Sequence, residues 1–499
     1  MIPRFPAERL AAAALVLALA SGCAQNPVSG QPEFALMSTE KEREIGAAEA
    51  KKIEEIIGFL PDTKLVSYVQ AVGRRLAQQS PRADIEYTVQ VVEMAESNAF
   101  SLPGGYIFIS RGMLALINSE DELGGILGHE IAHVAARHGA RRLNVAVATA
   151  PLRLATGIAG LATSVVSPRL GMGIAGLGEA ASGLVLAPYS REQEREADRV
   201  GQDIAAKAGY DPNALSTILA TVEREEELRR DGPPRQSFFA SHPAIPERVQ
   251  NTVRQAGEFV RAPAAPIATD RTDFLARLEG LLIGADPAQG VFVESRFLHP
   301  ELDFTLRFPP GWTAENRGAA VVGRTREKDA ILVLTVAGKG SDPMGAARAF
   351  EQEVGVKLQN VAAREINGLR AVRATAQAQS PRGSAILDLT WVAHGGLIYH
   401  LAGIYPSGGP AAYPRLVEES ALSFRPLTAA DRAQIREARM RIVQAREGER
   451  LEDLVRRTRS VWSPAETAVA NALPAGARLE AGQLVKVAIL QPYRGSPGR

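Results

Sequence analysis

The sequence contains one cysteine and only seven histidines among its 499 residues. A single cysteine excludes a disulfide framework and any zinc ribbon built on cysteines. The net charge of +1 leaves no basic excess with which the chain could bind nucleic acid. After the first 23 residues no stretch reaches 18 uninterrupted apolar residues, so no transmembrane helix is expected there. The composition, 45% apolar and 23% charged, is typical of a globular protein, and the length allows about three domains.

Residues 1–22 are predicted to be a lipoprotein signal peptide. They include an eleven-residue run of alanine, leucine and valine, which is too short to span a bilayer. Cys23 follows the sequence LASG, which resembles a bacterial lipobox, so we expect lipidation of Cys23. Because Ala24 and not aspartate comes next, the expected location is the periplasmic face of the outer membrane. Cleavage after Ala20 is the alternative, and it would release a soluble periplasmic protein.

The sequence HEIAH at residues 129–133 lies on a helix that is predicted to begin at the capping box Ser119-x-x-Glu122. His129 and His133 are four residues apart, so both imidazoles project from one helix face. They can bind one Zn²⁺ while Glu130, next to the first ligand, acts on an activated water. The surrounding residues are largely apolar, and unpaired polar groups on a buried helix are unfavourable. The motif therefore predicts a zinc site with Glu130 as its general base.

A catalytic zinc needs a third protein ligand and one open coordination position. A charged helix is predicted to begin at a capping box of Ser190 and Gln193. On this helix Glu194 and Asp198 are four residues apart and share a face. We expect Glu194 to complete the ligand set and Asp198 to orient a ligand histidine. Glu192 and Glu196 are the alternatives for the ligand, because spacing alone does not exclude them.

These motifs together resemble the HtpX and CAAX-prenyl-endopeptidase family of zinc metallopeptidases. The sequence NPVSG at residues 26–30 and the segment from Asn98 to Gly105 resemble its periplasmic lipoprotein branch. The resemblance covers about residues 24–260. It implies a mostly helical zincin (gluzincin) domain with a small sheet, which binds one Zn²⁺ per chain and hydrolyses peptide bonds.

The family resemblance also assigns roles to individual residues. It implies that His129, His133 and Glu194 are metal ligands, that Glu130 is the catalytic base, and that Asp198 donates a proton or orients a ligand.

Two further histidines adjoin these motifs. His242 lies in the sequence Ser241-His242-Pro243-x-x-x-Glu247-Arg248, which resembles a His-Pro element of the family. There the histidine approaches the metal, either as a fourth ligand that keeps the enzyme latent or as an oxyanion stabiliser; a loop histidine beside Pro243 is the alternative. His138 is five residues after His133, about 140° around a continuous helix, so we expect it to pack at the helix end and not to join the ligands.

The chain is predicted to be multidomain. The metallopeptidase domain is expected at residues 23–260, and further domains follow it. After a linker at 261–290, residues 291–427 are expected to form an antiparallel α+β domain that resembles the PsbP/Mog1-like folds, with a hairpin that turns at Gly395-Gly396. Residues 438–492 resemble a LysM module, a small βααβ fold that binds peptidoglycan. No 34-residue helical repeat is present in the sequence.

The remaining histidines, His299, His394 and His400, lack metal-ligand spacing and are expected to be structural.

The interpretation that follows is a zinc metalloendopeptidase of the bacterial periplasm that acts on misfolded or stalled envelope proteins. Its expected partners are polypeptide substrates, the membrane through a lipid anchor, and peptidoglycan, but not nucleic acid. The alternative is a chaperone-like or scaffolding lipoprotein with a latent zinc site, active in outer-membrane protein assembly. The intact Glu130 favours the enzyme, since a scaffold does not need it. A cell-wall hydrolase is a third hypothesis, and it rests only on the LysM-like segment.

Overall fold

The computed structural model describes residues 23–28, 30, 32–34, 37–142, 188–230, 237–243, 247–380 and 383–495. These residues belong to two compact units. The first unit contains the described residues up to position 142, those from 188 to 284, and residues 439–489. The second unit contains residues 285–438 and 490–495. The predicted signal peptide, residues 1–22, lies outside the described residues.

Helices dominate the first unit, and strands dominate the second. In chain order the helices are α1 (Thr39–Ile56), α2 (Thr63–Ala77), α3 (Arg111–Leu116), α4 (Glu120–Ala135), α5 (Arg191–Lys207), α6 (Ala214–Leu228), α7 (Phe238–Ser241), α8 (Arg248–Ala256), α9 (Arg271–Leu278), α10 (Pro343–Val354), α11 (Ala412–Leu422), α12 (Ala429–Gln434), α13 (Leu451–Thr458) and α14 (Pro464–Ala470). Among the described residues, no helix combines the length and the hydropathy needed to cross a bilayer.

The strands are β1 (Cys23–Gln25), β2 (Pro32–Phe34), β3 (Thr88–Val92), β4 (Ala99–Leu102), β5 (Tyr106–Ser110), β6 (Leu282–Ile283), β7 (Val291–Val293), β8 (Arg296–His299), β9 (Phe304–Arg307), β10 (Thr313–Asn316), β11 (Ala320–Arg324), β12 (Ile331–Lys339), β13 (Gln359–Ile366), β14 (Leu369–Ser380), β15 (Gly383–His394), β16 (Leu397–Pro406), β17 (Arg425–Pro426), β18 (Arg436–Gln444) and β19 (Leu484–Pro492).

Helix α4 is the buried centre of the first unit. The predicted capping box at its start is half formed: the Ser119 side chain accepts a hydrogen bond from the Glu122 backbone N–H, but the Glu122 carboxylate accepts from the backbone N–H of Asn118. Nearly all of its residues are buried, including the apolar Leu123, Ile126 and Leu127 that pack in the main core. A small mixed sheet in the order β3-β5-β4 belongs to the same unit, and β4 is one of its two edge strands among the described residues.

Two glycines allow α4 and α5 to approach each other closely. A Cβ atom added at Gly201 of α5 would lie 2.8 Å from the Cα atom of His129, and one at Gly128 of α4 would lie 2.8 Å from the carbonyl oxygen of Gly201. Such distances exclude any larger residue without movement of the backbone. This close crossing places the carboxylates of α5 beside the histidines of α4.

The second unit is a twisted antiparallel sheet with helices on both faces. Within the described residues its strands run β10-β11-β12-β16-β15-β14-β13, beside a smaller sheet β17-β9-β8-β7. The predicted hairpin is confirmed, since β15 pairs with β16 around Gly395-Gly396. Ala347 of α10 packs in a cluster with Trp391, and Val417 of α11 packs in another with Val392. Because Trp391 and Val392 are neighbours in one strand, these clusters lie on opposite faces of the sheet.

The last part of the chain has the element order strand, helix, helix, strand, from β18 through α13 and α14 to β19. Residues 439–489 of it belong to the first unit. There the ammonium group of Lys486 is fully buried and donates hydrogen bonds to the carbonyl oxygens of Ala115 and Ile117, both 2.8 Å away. Helix α9 and strand β6 lie within residues 261–290, which the sequence predicts to be a linker.

Candidate metal centre

Four helices of the first unit converge on one buried cluster. Helix α4 supplies His129, Glu130 and His133 from its last two turns, and the first turns of α5 supply Glu194 and Asp198. The short helix α7 ends at His242, its C-cap residue, and α8 begins at Arg248. The capping box predicted at the start of α5 is confirmed: Ser190 and Gln193 each accept a hydrogen bond from the other's backbone. It fixes the turn that carries Glu194.

Four side chains of the cluster point their ligand atoms at a common point. One such atom from each of His129, His133, Glu194 and His242 lies within 4.8 Å of the others. The Nε2 atoms of His129 and His133 are 3.0 Å apart, and Glu194 Oε1 lies 3.3 Å from His133 Nε2. His242 Nδ1 lies 3.0 Å from Glu194 Oε1 and 3.3 Å from His129 Nε2. All four residues are buried.

These separations fit a zinc ion. A tetrahedral site with bonds of about 2.0–2.1 Å holds its ligand atoms about 3.3 Å apart. Two imidazole nitrogens that both face the same point repel each other unless a proton or a cation lies between them. Burial lowers the pKa of His133 well below its usual value, which keeps the ring in the neutral form that binds metals. The ligand set of histidines and a carboxylate is one that zinc accepts.

Glu130 is buried next to the cluster but is not one of the four convergent residues. Its side chain is 0% exposed, and neither carboxylate oxygen has a hydrogen-bond partner among the described residues. Glu130 Oε1 lies 3.4 Å from His242 Nε2, which is longer than a normal hydrogen bond. A buried carboxylate without a hydrogen bond is unfavourable unless a bound molecule pairs with it.

Asp198 stands behind His129, as the helical spacing predicts. Its Oδ1 atom lies 3.0 Å from His129 Nδ1, the ring nitrogen that faces away from the cluster. This contact fixes the orientation of the ring and its tautomer. Burial alone would raise the pKa of Asp198, but the charge of Arg248 outweighs it and lowers that pKa below the usual value.

Arg248 joins both carboxylates of α5, a role that the sequence does not assign to it. Its guanidinium group contacts Asp198 through Nε at 2.8 Å and Nη2 at 2.7 Å, and Glu194 Oε2 through Nη1 at 2.7 Å. Burial opposes the charges of Glu194 and Arg248, but His242 and then Arg248 lower the pKa of Glu194 well below its usual value. The charges of Asp198 and Glu194 likewise raise the pKa of Arg248. The sequence includes Arg248 in the His-Pro element around His242, but that motif specifies no contact.

The alternatives for the carboxylate ligand do not reach the cluster. Glu192 has an 81% exposed side chain, whose carboxylate lies 3.9 Å from the guanidinium of Arg195. Glu196 instead contacts His138. His138 is not among the convergent residues, as the helical spacing predicts, but its Nδ1 lies 2.9 Å from His133 Nδ1.

The surroundings of His242 hold it in place. The Phe238 ring stacks on His242 with ring centres 4.4 Å apart and planes 11° apart. The backbone N–H of Phe238 donates to the carbonyl oxygen of Ser97, next to the edge strand, and that of Tyr189 donates to Ser241. Tyr189 in turn stacks on His133 with ring centres 3.8 Å apart. Cys23 is in β1, and the histidines of the second unit, His299, His394 and His400, do not belong to the cluster.

The comparisons with known proteins agree with this geometry. The model of peptidase family M48 matches residues 64–256. The metalloprotease LoiP of Escherichia coli K12 is 30% identical over 189 residues, which are 38% of this chain and 68% of LoiP. The beta-barrel assembly-enhancing protease of Yersinia pestis is 25% identical over 241 residues, 48% of this chain and 49% of that protein. The chain thus spans about half to two thirds of the length of such relatives.

A solved structure of the Synechocystis PsbP protein CyanoP matches 28% of this chain and 95% of its own, with 17% identity and a TM-score of 0.24. The family model covers α2 to α8, and therefore every residue of the cluster. Enzymes of this family depend on zinc, and the buried donor set fits that ion. The chain belongs to peptidase family M48, a family of zinc metallopeptidases.

Proposed function

We propose that the protein is a zinc metalloendopeptidase that hydrolyses peptide bonds of misfolded or stalled envelope proteins in the bacterial periplasm. One observation carries the proposal: the fully buried Glu130, whose carboxylate oxygens accept no hydrogen bond from the described residues, lies beside a convergent set of zinc ligands. A scaffold that only bound metal would need the ligands but not this carboxylate. The name of the Yersinia relative, a beta-barrel assembly-enhancing protease, supports envelope proteins as the substrate class.

Each residue of the cluster has a distinct task in this proposal. His129, His133 and Glu194 would hold the zinc, which when bound activates a water molecule and polarises the scissile carbonyl group. Glu130 accepts the proton of the attacking water and delivers it to the leaving amine. Asp198 keeps His129 oriented through its 3.0 Å contact, and it in turn is held by Arg248.

The substrate is expected to bind along β4. This strand is an edge of the small sheet within the described part of the chain, and α7, which carries the His242 segment, is hydrogen-bonded to Ser97 just before it. An edge strand can pair with an extended peptide through main-chain hydrogen bonds. Such pairing would place a scissile bond next to the metal cluster.

His242 favours a latent state of the enzyme. Its Nδ1 atom takes the fourth position of the cluster, and a catalytic zinc must keep that position open. As an oxyanion stabiliser, His242 would instead face the substrate. We therefore propose that His242 is a latch that has to leave before a substrate can be cleaved. The same observation supports the second candidate, a scaffolding lipoprotein whose zinc site stays closed.

The cellular location of the protein and its binding to peptidoglycan are also part of the proposal. Lipidation at Cys23 would hold the protein on the periplasmic face of the outer membrane, with the soluble periplasmic form as the alternative. The LysM-like segment at 438–492 would bind peptidoglycan, and its strand-helix-helix-strand order is compatible with that module. The PsbP/Mog1-like domain at 291–427 carries no cluster of metal-ligating residues within its described part and is proposed to bind or position partners.

Cleavage of casein by the purified chain from Cys23 onward tests the proposal. The assay compares the wild type with Glu130→Gln and His242→Ala, with zinc measured in each. Loss of the general base should lower the rate by about 10²- to 10⁴-fold without loss of zinc. Removal of the latch should raise the rate, and chelation should abolish it until zinc is restored. Equal cleavage by wild type and Glu130→Gln would refute the mechanism, and bound zinc without cleavage in any form would favour the scaffold.

A further inference from the structure

His133 is connected to the protein surface by a line of three side chains. His133 Nδ1, the nitrogen that faces away from the cluster, lies 2.9 Å from His138 Nδ1. The other ring nitrogen of His138, Nε2, lies 3.0 Å from Glu196 Oε2. His138 is fully buried, whereas the Glu196 side chain is 25% exposed. The line therefore leads from an inner ligand atom to a carboxylate at the edge of solvent.

The line has a single consistent pattern of protons. Because Nε2 of His133 faces the cluster as an electron-pair donor, the ring proton of His133 must be on Nδ1. That N–H can donate only if His138 Nδ1 is an unprotonated acceptor. The proton of His138 is then on Nε2, where it donates to the carboxylate of Glu196. Each assignment follows from the one before it, and no donor faces another donor.

A backbone feature brings His138 into this line. Arg137 has a positive φ of 57°, a conformation that non-glycine residues adopt at a cost of roughly 1–2 kcal/mol. It ends the regular path of α4, so His138 does not follow at the angle of a continuous helix. The Arg137 guanidinium donates to the buried carboxylate of Glu42, which holds the turn. Strain of this kind persists when surrounding contacts require it.

The two ligand histidines of α4 are thus both supported by carboxylates of helix α5. Asp198 contacts His129 directly, and Glu196, two residues earlier in α5, reaches His133 through His138. We infer that His138 and Glu196 are positioning residues that hold the His133 ring and its tautomer for zinc. This inference rests on the proposed role of His133 as a metal ligand. His138 thus supports a metal ligand without being a ligand itself.

The test is the zinc dissociation constant of the full mature chain, measured by competition with a chromophoric chelator. His138→Phe keeps the bulk of the ring but removes the acceptor, and it should weaken zinc binding about 10- to 100-fold. His138→Asn offers an amide oxygen near the position of Nδ1 and should restore most of the affinity. Glu196→Ala, at a partly exposed site, should give a smaller loss. The matched controls are His400→Phe, another buried histidine, and the exposed Glu192→Ala, and both should bind zinc as the wild type does.

The electronic spectrum of bound cobalt gives a second readout that packing alone would not move. The visible bands of the Co²⁺ form should change in His138→Phe and return in His138→Asn. Unchanged zinc affinity in a folded His138→Phe would overturn the inference, as would equal losses in the phenylalanine and asparagine variants. If His138→Phe fails to fold, unchanged affinity in Glu196→Ala would overturn it. Weakened zinc binding without casein cleavage in any form would contradict the proposed function but support this inference.

Discussion

The seven histidines of the chain divide between the two units, and the two groups differ in what surrounds them. In the first unit, His129, His133, His138 and His242 lie next to one another, with carboxylates behind or between them. In the second unit the three histidines are separate. The ring of His400 is buried between Trp391 and Phe350, its Nε2 atom has no hydrogen-bond partner among the described residues, and burial lowers its pKa to about 4.

The comparison shows that burial alone does not make a metal site. Burial also lowers the pKa of His299 to about 4, and its Nδ1 atom accepts a hydrogen bond from the backbone N–H of Leu302. Both groups therefore contain neutral rings. What distinguishes the first unit is convergence of the ring nitrogens and the presence of Glu194, Asp198 and Glu196 on one helix, held against α4 by the close glycine contact.

The largest effect should come from separating the two helices. Gly201→Leu places a side chain where the Cβ position is already 2.8 Å from the backbone of His129. Overpacking of this kind should lower the free energy of unfolding by about 3 kcal/mol and reduce zinc binding together with it. Gly408→Leu in the second unit is the control, because its Cβ position has no atom within 4 Å. Urea unfolding followed by circular dichroism measures both, and equal stabilities of the two variants would contradict the role given to the helix contact.

A more local change should weaken the metal site without unfolding it. Asp198→Asn keeps an acceptor near His129 but removes the charge that pairs with Arg248, and its amide can present a donor to a ring N–H. We expect zinc affinity to fall about 10- to 100-fold. Chelator competition measures this, with Asp203→Asn, on the solvent side of the same helix, as control. Wild-type affinity in Asp198→Asn would show that α5 contributes only Glu194.

The smallest effect concerns the histidines of the second unit. The pKa of His400 is about 4 in the folded chain and near 6.5 when unfolded, so between these values the unfolded state binds more protons. The stability that the neutral ring permits is complete above pH 6.5 and is lost as the pH falls towards 4. Between pH 7 and pH 5.5 the wild type should lose about 1 kcal/mol through this residue, and His400→Phe should not. Denaturant titrations that follow tryptophan fluorescence at the two pH values test this, and identical losses would contradict it.

The parts of the structure that depend on residues close together in the sequence are the predictable ones. The hairpin at Gly395-Gly396 and the cap at Ser119 follow from neighbouring residues, and the structure has both. The spacing of His129, His133 and Glu194 puts their side chains on helix faces, which is sufficient for the ligand set once the helices cross. Their distances depend on that crossing, which no spacing along the chain specifies.

The residues that sequence reasoning missed depend on tertiary contacts. Arg248 lies 50 residues from Asp198, and only the packing of α8 on α5 brings them together. The angle of a continuous helix turns His138 away from His133. The positive φ at Arg137 changes the path of the chain, and His138 contacts His133 without being a ligand. Helix α9 and strand β6 lie within residues 261–290, where the alanines and prolines predict a linker. Only residues 262–266 have that composition, so the rest of the region can form regular structure.

Convergence of ring nitrogens with carboxylates, and not burial alone, makes the metal site. The most direct test is the zinc content of three purified forms, the wild type, His133→Ala and His400→Ala, measured by mass spectrometry after dialysis. We expect one zinc per chain in the wild type and in His400→Ala, and almost none in His133→Ala. Zinc retained at full stoichiometry by His133→Ala, or lost from a folded His400→Ala, would contradict this expectation.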